Sequence, residues 1–207
     1  MWFPIVIGVL TCYMLGNING AVSISTLMKD DVRSHGSGNA GLTNFIRNYG
    51  NTKAFYVVAV DAIKAVLSCF LMAFLLEPYG LWEEGKMIGG FAVMLGHVFP
   101  VLLGFRGGKG ILSGLFIAMV VDWRIAVGIA VIFFTVYFIT RYVSLSSLLA
   151  SIGFAVGFFV FYRHNPVIIV FGVLMAALTI FMHRSNIVRL CTGKETKTNL
   201  FQRKKSV

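Results

Sequence analysis

GILSGLFIAMVVDWRIAVGIAVIFFTVYFI, residues 110–139, is the stretch whose reading decides the fold. It is apolar enough for one long helix, yet Asp122, Trp123 and Arg124 interrupt it, so it also divides into two short runs, 111–121 and 125–139. Further apolar runs cover roughly residues 3–27, 54–76, 87–103, 144–162 and 166–182. Dividing 110–139 therefore yields seven spans. With the N-terminus outside, residues 29–53, 105–109, 140–143 and the tail from 183 then face the cytoplasm and hold four, two, one and seven basic residues, fourteen of the eighteen Lys and Arg. Leaving 110–139 whole would send the tail's seven cations outside, against the positive-inside rule. The sequence thus predicts an all-α, polytopic integral membrane protein of about seven transmembrane helices, N-terminus outside and C-terminus cytoplasmic. Residues 111–121, rising about 1.5 Å each, are too short for a hydrocarbon core of about 30 Å, so that span is expected to be short, tilted or partly re-entrant.

Composition agrees. A chain 57% hydrophobic and 13% charged, with mean hydropathy +0.83, is not an ordinary cytoplasmic enzyme. In so apolar a chain, a net charge of +10 points to anionic lipid headgroups or anionic substrates rather than to nucleic acid. Cys12, Cys69 and Cys191 form neither a disulfide framework nor a zinc pattern. Met1 to Pro4 carry no basic side chain, and no small-residue cleavage site follows, so a retained first span is expected rather than a secretion signal. With neither repeats nor linkers, residues 1–207 read as a single membrane-embedded domain.

Polar residues concentrate in three clusters, which span parity places on the cytoplasmic side. The first runs from Arg33 to Arg47. Gly36, Gly38 and Gly41 free its backbone, and Ser37, Asn39, Thr43 and Asn44 add polar side chains. Such glycines expose successive N–H groups as an anion nest, a helix starting near Thr43 would add partial positive charge, and Arg33 and Arg47 would clamp a phosphate. The second cluster joins His97 and Pro100 to the loop Gly107, Gly108, Lys109, Gly110. It is not a Walker A loop: Gly110 follows the lysine and Leu103 stands where the first glycine belongs, but a phosphate cradle remains. Pro100 is expected to kink the span bearing His97. In the third, a helix continuing past His183 would place His183 and Asn186 on one face, with Glu195 further along the basic tail. Arg141 and Ser144, at the start of the sixth span, lean towards the site. Asp61 and Lys64 read as a buried, mutually neutralising pair; Asn17, Asn19, Ser23 and Thr26 as interhelical glue within the first span; and Arg203, Lys204 and Lys205 as a lipid-surface anchor.

Two basic cradles beside a His/Asn edge suit a reaction between two phosphate-bearing molecules, at least one of them lipid-like. The expected cytoplasmic side has only three acids, Asp30, Asp31 and Glu195, so neither a metal site nor a cofactor is expected. The His-x4-Asp acyltransferase dyad is missing, since Ala40, Leu102, Ile169 and Val188 stand five residues after the four histidines. A carrier for a phosphorylated solute would need polar midplane residues on several spans, and only Asp61 and Lys64 qualify.

Gly36-Ser-Gly-Asn-x-Gly-x-Thr-Asn44, Gly96-His-x-Phe-Pro100 with Gly104-Phe-Arg-Gly-Gly-Lys-Gly110, and His183-Arg-x-Asn-Ile-x-Arg-Leu-x-x-Gly-x-Glu195 together resemble the acyl-phosphate-dependent glycerol-3-phosphate acyltransferases of bacterial inner membranes. Arg141-Tyr-Val-Ser-Leu145 and Asp61-x-x-Lys64 also look like positions of that family. The resemblance implies a multi-pass enzyme of the bacterial inner (plasma) membrane with a cytoplasmic active site. It would move an acyl group from acyl phosphate to the 1-hydroxyl of glycerol 3-phosphate, giving lysophosphatidate and phosphate, the first acylation of phospholipid synthesis. Its partners would be those two substrates and membrane lipid, with no nucleic acid, and nothing in the sequence requires more than a monomer. Carried over, Ser37, Asn39, Arg47, His183, Asn186 and Glu195 are expected to be catalytic; Gly36, Gly38, Thr43, Asn44, His97, Gly107, Gly108, Lys109, Arg141 and Ser144 are expected to bind substrate. The proton acceptor stays open between a protein group and a substrate phosphate. Gly16-Asn-Ile-Asn-Gly20 departs from the family's usual Gly-Ser-Ile-Pro-x-Gly, a change expected to alter the helix bend and the acyl groove, and Leu42 replaces a common Ala. Because the cytoplasmic acids are so few, turnover is expected to continue in excess chelator; activity lost to chelator and restored by magnesium would overturn this.

Overall fold

Asp122 ends one helix and caps the next. Its backbone is extended (φ −154°, ψ 107°), its Oδ1 accepts the Arg124 N–H at 2.9 Å, and its Oδ2 lies 2.6 Å from the Arg124 guanidinium. Residues 110–139 are accordingly two helices. The computed structural model describes residues 2–200, and these hold ten α-helices and no strand: α1 (Trp2–Gly16), α2 (Gly20–Leu27), α3 (Leu42–Tyr49), α4 (Ala54–Leu76), α5 (Trp82–Val98), α6 (Ile111–Val121), α7 (Trp123–Thr140), α8 (Val143–Phe161), α9 (Pro166–Met182) and α10 (Arg184–Cys191). Arg203, Lys204 and Lys205, expected to anchor the tail, lie outside the described residues.

Four segments are long and apolar enough to cross a membrane: Ala54–Tyr79, Trp82–Leu103, Trp123–Thr140 and Val143–Phe161. The bent pairs α1–α2 and α9–α10 raise the count to six if each is one span, and α6 is a further, shorter apolar helix. Outward-facing Val131, Phe138, Ile152, Val156, Phe159 and Val160 suit hydrocarbon, where helices satisfy their own backbone. Inside, α4 packs against α1, α2, α5 and α6, while a core running from Ala65 and Cys69 to Phe158 and Met175 joins α4–α9. Glycine sets one of these seams: a Cβ on Gly96 of α5 would lie 2.0 Å from the Tyr13 carbonyl oxygen of α1. A smaller cluster of Ala21, Val22, Val32, Ala40, Phe45, Ala54 and Val57 seats the loop before α3 on α2 and α4.

The first apolar run differs from the expected continuous helix. It breaks by 45° between α1 and α2, where Asn17 and Asn19 serve the helix ends as well as joining distant segments. Asn17 donates to the Tyr13 carbonyl and accepts the Leu102 N–H; Asn19 caps α2 through the Val22 N–H and donates to the Ala40 carbonyl. Pro100 likewise stands beyond the end of α5 instead of kinking it, in extended backbone ahead of a 3-10 turn, Val101–Leu103.

Lys64 fills the break. Its Nζ lies 2.7 Å from the Ile18 carbonyl, 3.3 Å from that of Gly16, 2.8 Å from Asp61 Oδ1 and 2.8 Å from His97 Nδ1, and all three side chains are nearly inaccessible. Asp61 Oδ1 also accepts the Gly20 N–H at 3.2 Å. The expected buried pair is therefore present, and it also serves both helix ends at the break. Lys64→Met would strand Asp61 in the interior, a loss on the order of 3–5 kcal/mol. Thermal unfolding in detergent is expected to show the single variant less stable than Asp61→Asn/Lys64→Met; equal stabilities would remove the pairing.

Candidate active site

At one end of the bundle the three polar clusters meet around a cavity of about 1190 Å³. Ser37, Asn39, Thr43, Asn44, Arg47, His97, Gly107, Lys109, Ser144, His183, Asn186 and Glu195 all line it, as do Gly36 and Gly38. Gly108 and Arg141 do not. Gly108 is packed behind the wall, its N–H donating to the His97 carbonyl at 3.1 Å, and a Cβ there would lie 2.2 Å from His97 Nε2. Arg141, expected among the substrate-binding groups, adopts a left-handed turn (φ 63°) after α7 and lays its guanidinium 5.7 Å from the Tyr137 ring centre.

The first loop is organised by Asn44. Its amide donates to the carbonyls of Val32, His35 and Asn39, and its Oδ1 accepts from Ser37 N–H and Asn48, so the side chain is saturated by protein partners. Gly36 (φ 57°) and Gly38 (φ 69°) permit the turns that bring those carbonyls together. Asn44 thus holds the cradle's shape rather than presenting a free amide. Arg33, expected to clamp an anion with Arg47, lines the same cavity, and its guanidinium is held by Asp31 at 2.9 Å.

Helix ends supply positive potential that charge counting misses. The first residues of α3, α6, α8 and α10 line the cavity, and none of these N-termini has a side-chain cap. Arg47, Lys109 and Arg189 add full charges around the same space. Against them stands Glu195, and its oxygens are already occupied: Oε1 accepts from Ser144 (2.7 Å) and Asn186 (2.8 Å), Oε2 from Arg189 (2.8 Å). Burial raises the Glu195 pKa, but those hydrogen bonds outweigh it and hold the carboxyl below its usual value. Asn186 Oδ1 in turn accepts from Lys109 Nζ, so Glu195, Asn186 and Lys109 form one chain. Arg189, present in the third motif without an assigned role, is its outer anchor.

His183 bonds through Nδ1 to the Thr179 carbonyl at 2.8 Å. A carbonyl only accepts, so Nδ1 carries the proton and the neutral ring leaves Nε2 as an acceptor. Away from the mouth the wall turns apolar, with Ile129, Ala130, Phe133 and Phe134 of α7, Phe154 of α8 and Met175 of α9. The cavity therefore joins a cationic mouth to a hydrocarbon-like arm.

Apolar helices of membrane-crossing length around such a cavity define a helical integral membrane protein. Residues 6–193 match the model of the family described as glycerol-3-phosphate acyltransferase. The glycerol-3-phosphate acyltransferase of Thermoanaerobacter pseudethanolicus is 39% identical over 193 residues, 93% of this chain and 94% of that one. Its counterpart from Finegoldia magna is 36% identical over 196 residues, 94% and 96% of the two chains. Among solved structures, PlsY (YgiH), an integral membrane glycerol 3-phosphate acyltransferase, matches in its glycerol 3-phosphate form with a TM-score of 0.85 and 31% identity, over 96% of this chain and 99% of that one. Its lysophosphatidic acid form gives 0.82 and 30%, over 95% and 96%. The chain belongs to the glycerol-3-phosphate acyltransferase family.

Burial, reinforced by Arg189 and Arg47 and opposed by Glu195, lowers the Lys109 pKa to about 8. Below that pH the ammonium is charged and attracts anions; above it the charge is lost. Affinity for inorganic phosphate is expected to fall as pH rises through about 8, and Lys109→Arg to move the fall to higher pH. A titration flat from pH 7 to 9 would remove Lys109 from the anion site.

Proposed function

We propose that this chain transfers a fatty acyl group from acyl phosphate to the 1-hydroxyl of glycerol 3-phosphate, releasing lysophosphatidate and inorganic phosphate. The observation that carries this reading is the joining of two glycine-rich cradles and an apolar arm in one cavity: two phosphates and one chain find complementary walls. We further propose a single domain of seven spans in the bacterial inner membrane, with α6 as the short span, the N-terminus outside and the site cytoplasmic; the bias of Lys and Arg supports that orientation.

In this reading Gly36, Ser37, Gly38, Asn39, Thr43 and Arg47 hold one phosphate at the N-terminus of α3, with Asn44 keeping the loop in shape. Gly107, Lys109 and Ser144 hold the other beside the N-termini of α6 and α8, and His97 and Gly108 support that loop from behind. Asn186 and Glu195 fix Lys109. The hydroxyl of glycerol 3-phosphate attacks the acyl carbonyl carbon, the bond from that carbon to the phosphate oxygen breaks, and phosphate leaves. His183 Nε2 accepts the hydroxyl's hydrogen bond and orients it, and the departing phosphate carries the proton away. A mixed anhydride needs little further activation: orientation and charge neutralisation supply much of the acceleration.

The test is phosphate release by the detergent-purified protein given acyl phosphate, with and without glycerol 3-phosphate, with product lipid followed in parallel. Acceptor-dependent release matched by lysophosphatidate is expected. Lys109→Ala should raise the KM for glycerol 3-phosphate by about tenfold or more, and far more than that for acyl phosphate. Release indifferent to the acceptor would overturn the reaction, and equal effects on both KM values would overturn the placement of the second phosphate.

A further inference from the structure

Beyond Gly193 the chain turns back and crosses the mouth of the cavity, and Thr198 is where it is pinned. The Thr198 N–H donates to the Arg141 carbonyl at 3.0 Å, and its own carbonyl accepts from the Tyr137 hydroxyl at 3.1 Å. Its Oγ1 accepts from Arg47 Nε at 3.1 Å and also from Arg47 Nη2. The neighbouring residues repeat the pattern. Arg47 Nη2 reaches the Thr196 carbonyl at 3.4 Å, Leu200 N–H donates to the Tyr137 hydroxyl at 2.9 Å, and Asn51 donates to the Leu200 carbonyl at 2.8 Å. Residues 196–200 are therefore a strap tied to α7 on one side and to α3 and its following loop on the other. Thr196 and Leu200 line the cavity, and Thr198 and Tyr137 are buried beneath it.

An arginine presents five N–H groups in a rigid fork. Here the Nε/Nη2 edge of Arg47 is taken by the strap, while none of the described residues accepts from Nη1, and Arg47 lines the cavity close to the uncapped N-terminus of α3. We propose that Thr198 is a positioning residue: the strap grips Arg47 by one edge so that the other meets a substrate phosphate at the N-terminus of α3. Without the hydroxyl, Arg47 would have to be ordered by the substrate itself at the moment of binding, and the affinity for the phosphate would fall. The proposal rests on the acyl-transfer reading only in naming that phosphate as part of a substrate.

The test uses the full-length protein in detergent, with inorganic phosphate as the probe and calorimetry as the readout. Thr198→Val, which keeps the shape and removes the acceptor, is expected to weaken phosphate binding by about tenfold, as for loss of a charge-assisted hydrogen bond. Thr198→Ser should bind as the parent does. Tyr137→Phe, which loosens the strap without touching Arg47, should weaken binding in the same direction. In an Arg47→Ala background, Thr198→Val should add nothing. Wild-type affinity in Thr198→Val, a full additional loss in the Arg47→Ala background, or no measurable phosphate binding by the parent protein would each overturn the proposal. Acyl transfer by the parent is measured in parallel: if it fails while the phosphate affinities follow the expected order, the acyl-transfer reading falls and the role of Thr198 stands.

Discussion

One buried ammonium holds the arrangement together. Lys64 has three hydrogens and no acceptor, and four acceptors surround it: two carbonyls at the break of the first span, one Asp61 oxygen and His97 Nδ1. The break strands backbone groups inside the bundle, where water cannot reach them, so it survives only because Lys64 takes the carbonyls and Asp61 takes the Gly20 N–H. Receiving a hydrogen bond at Nδ1 leaves the neutral His97 ring protonated at Nε2, the atom that faces Gly108. From the same break, Asn19 reaches the Ala40 carbonyl in the first loop. Both cradles are thereby referred to one point. An apolar pair of similar volume at positions 61 and 64 would pack, but it would leave the broken helix unsatisfied.

The mouth carries more positive side chains than its own carboxylates can balance. Its one lining carboxylate outside the Asp61 pair, Glu195, is bonded to Ser144, Asn186 and Arg189, and so serves to place Asn186 and, through it, Lys109. Four helix N-termini at the cavity carry no side-chain cap, and Glu195 reaches the first turns of two of them through Ser144 of α8 and Asn186 of α10. Lys109, half removed from water beside Arg189 and Arg47, holds its proton less firmly than an exposed lysine. Lys109, the Asn186 bridge and the start of α6 thus stand together at the cavity.

Charge and polarity patterns made much of this legible in the sequence. The Asp122 break, the bounds of α4, α6 and α9, and the meeting of three clusters follow from apolar run lengths and loop charge, both local quantities. The helix-ending role of Asn17 and Asn19 is hidden because polar residues spaced along an ideal helix look alike whether they only bridge segments or also end a helix. The saturation of Asn44 depends on carbonyls of residues 32, 35 and 39 in a loop with no period to read. Tyr137 and Thr198 meet across 61 residues, and Arg47 and Thr198 across 151, separations that no pattern in a single sequence exposes. Arg141 was drawn towards the site by its position at a helix start, but its left-handed backbone turns the side chain onto Tyr137.

The length of α6 bears on where the strap is held. Ile111, Leu112, Gly114 and Leu115 at the start of α6 share the cavity wall with Ile129, Ala130, Phe133 and Phe134 of α7, as a hairpin folded at Asp122 requires. The six residues of α7 that follow, 135–140, rise past the cradle by about 9 Å at 1.5 Å per residue. The start of α6, with Lys109 just before it, is thus set back from the end of its neighbouring helix. Tyr137 lies in that projecting end of α7 and the Arg141 carbonyl just beyond it, and there they bind residues 198–200. The strap is thus held by the part of α7 that the shorter α6 leaves unmatched, which ties the return of the tail to the length of that helix.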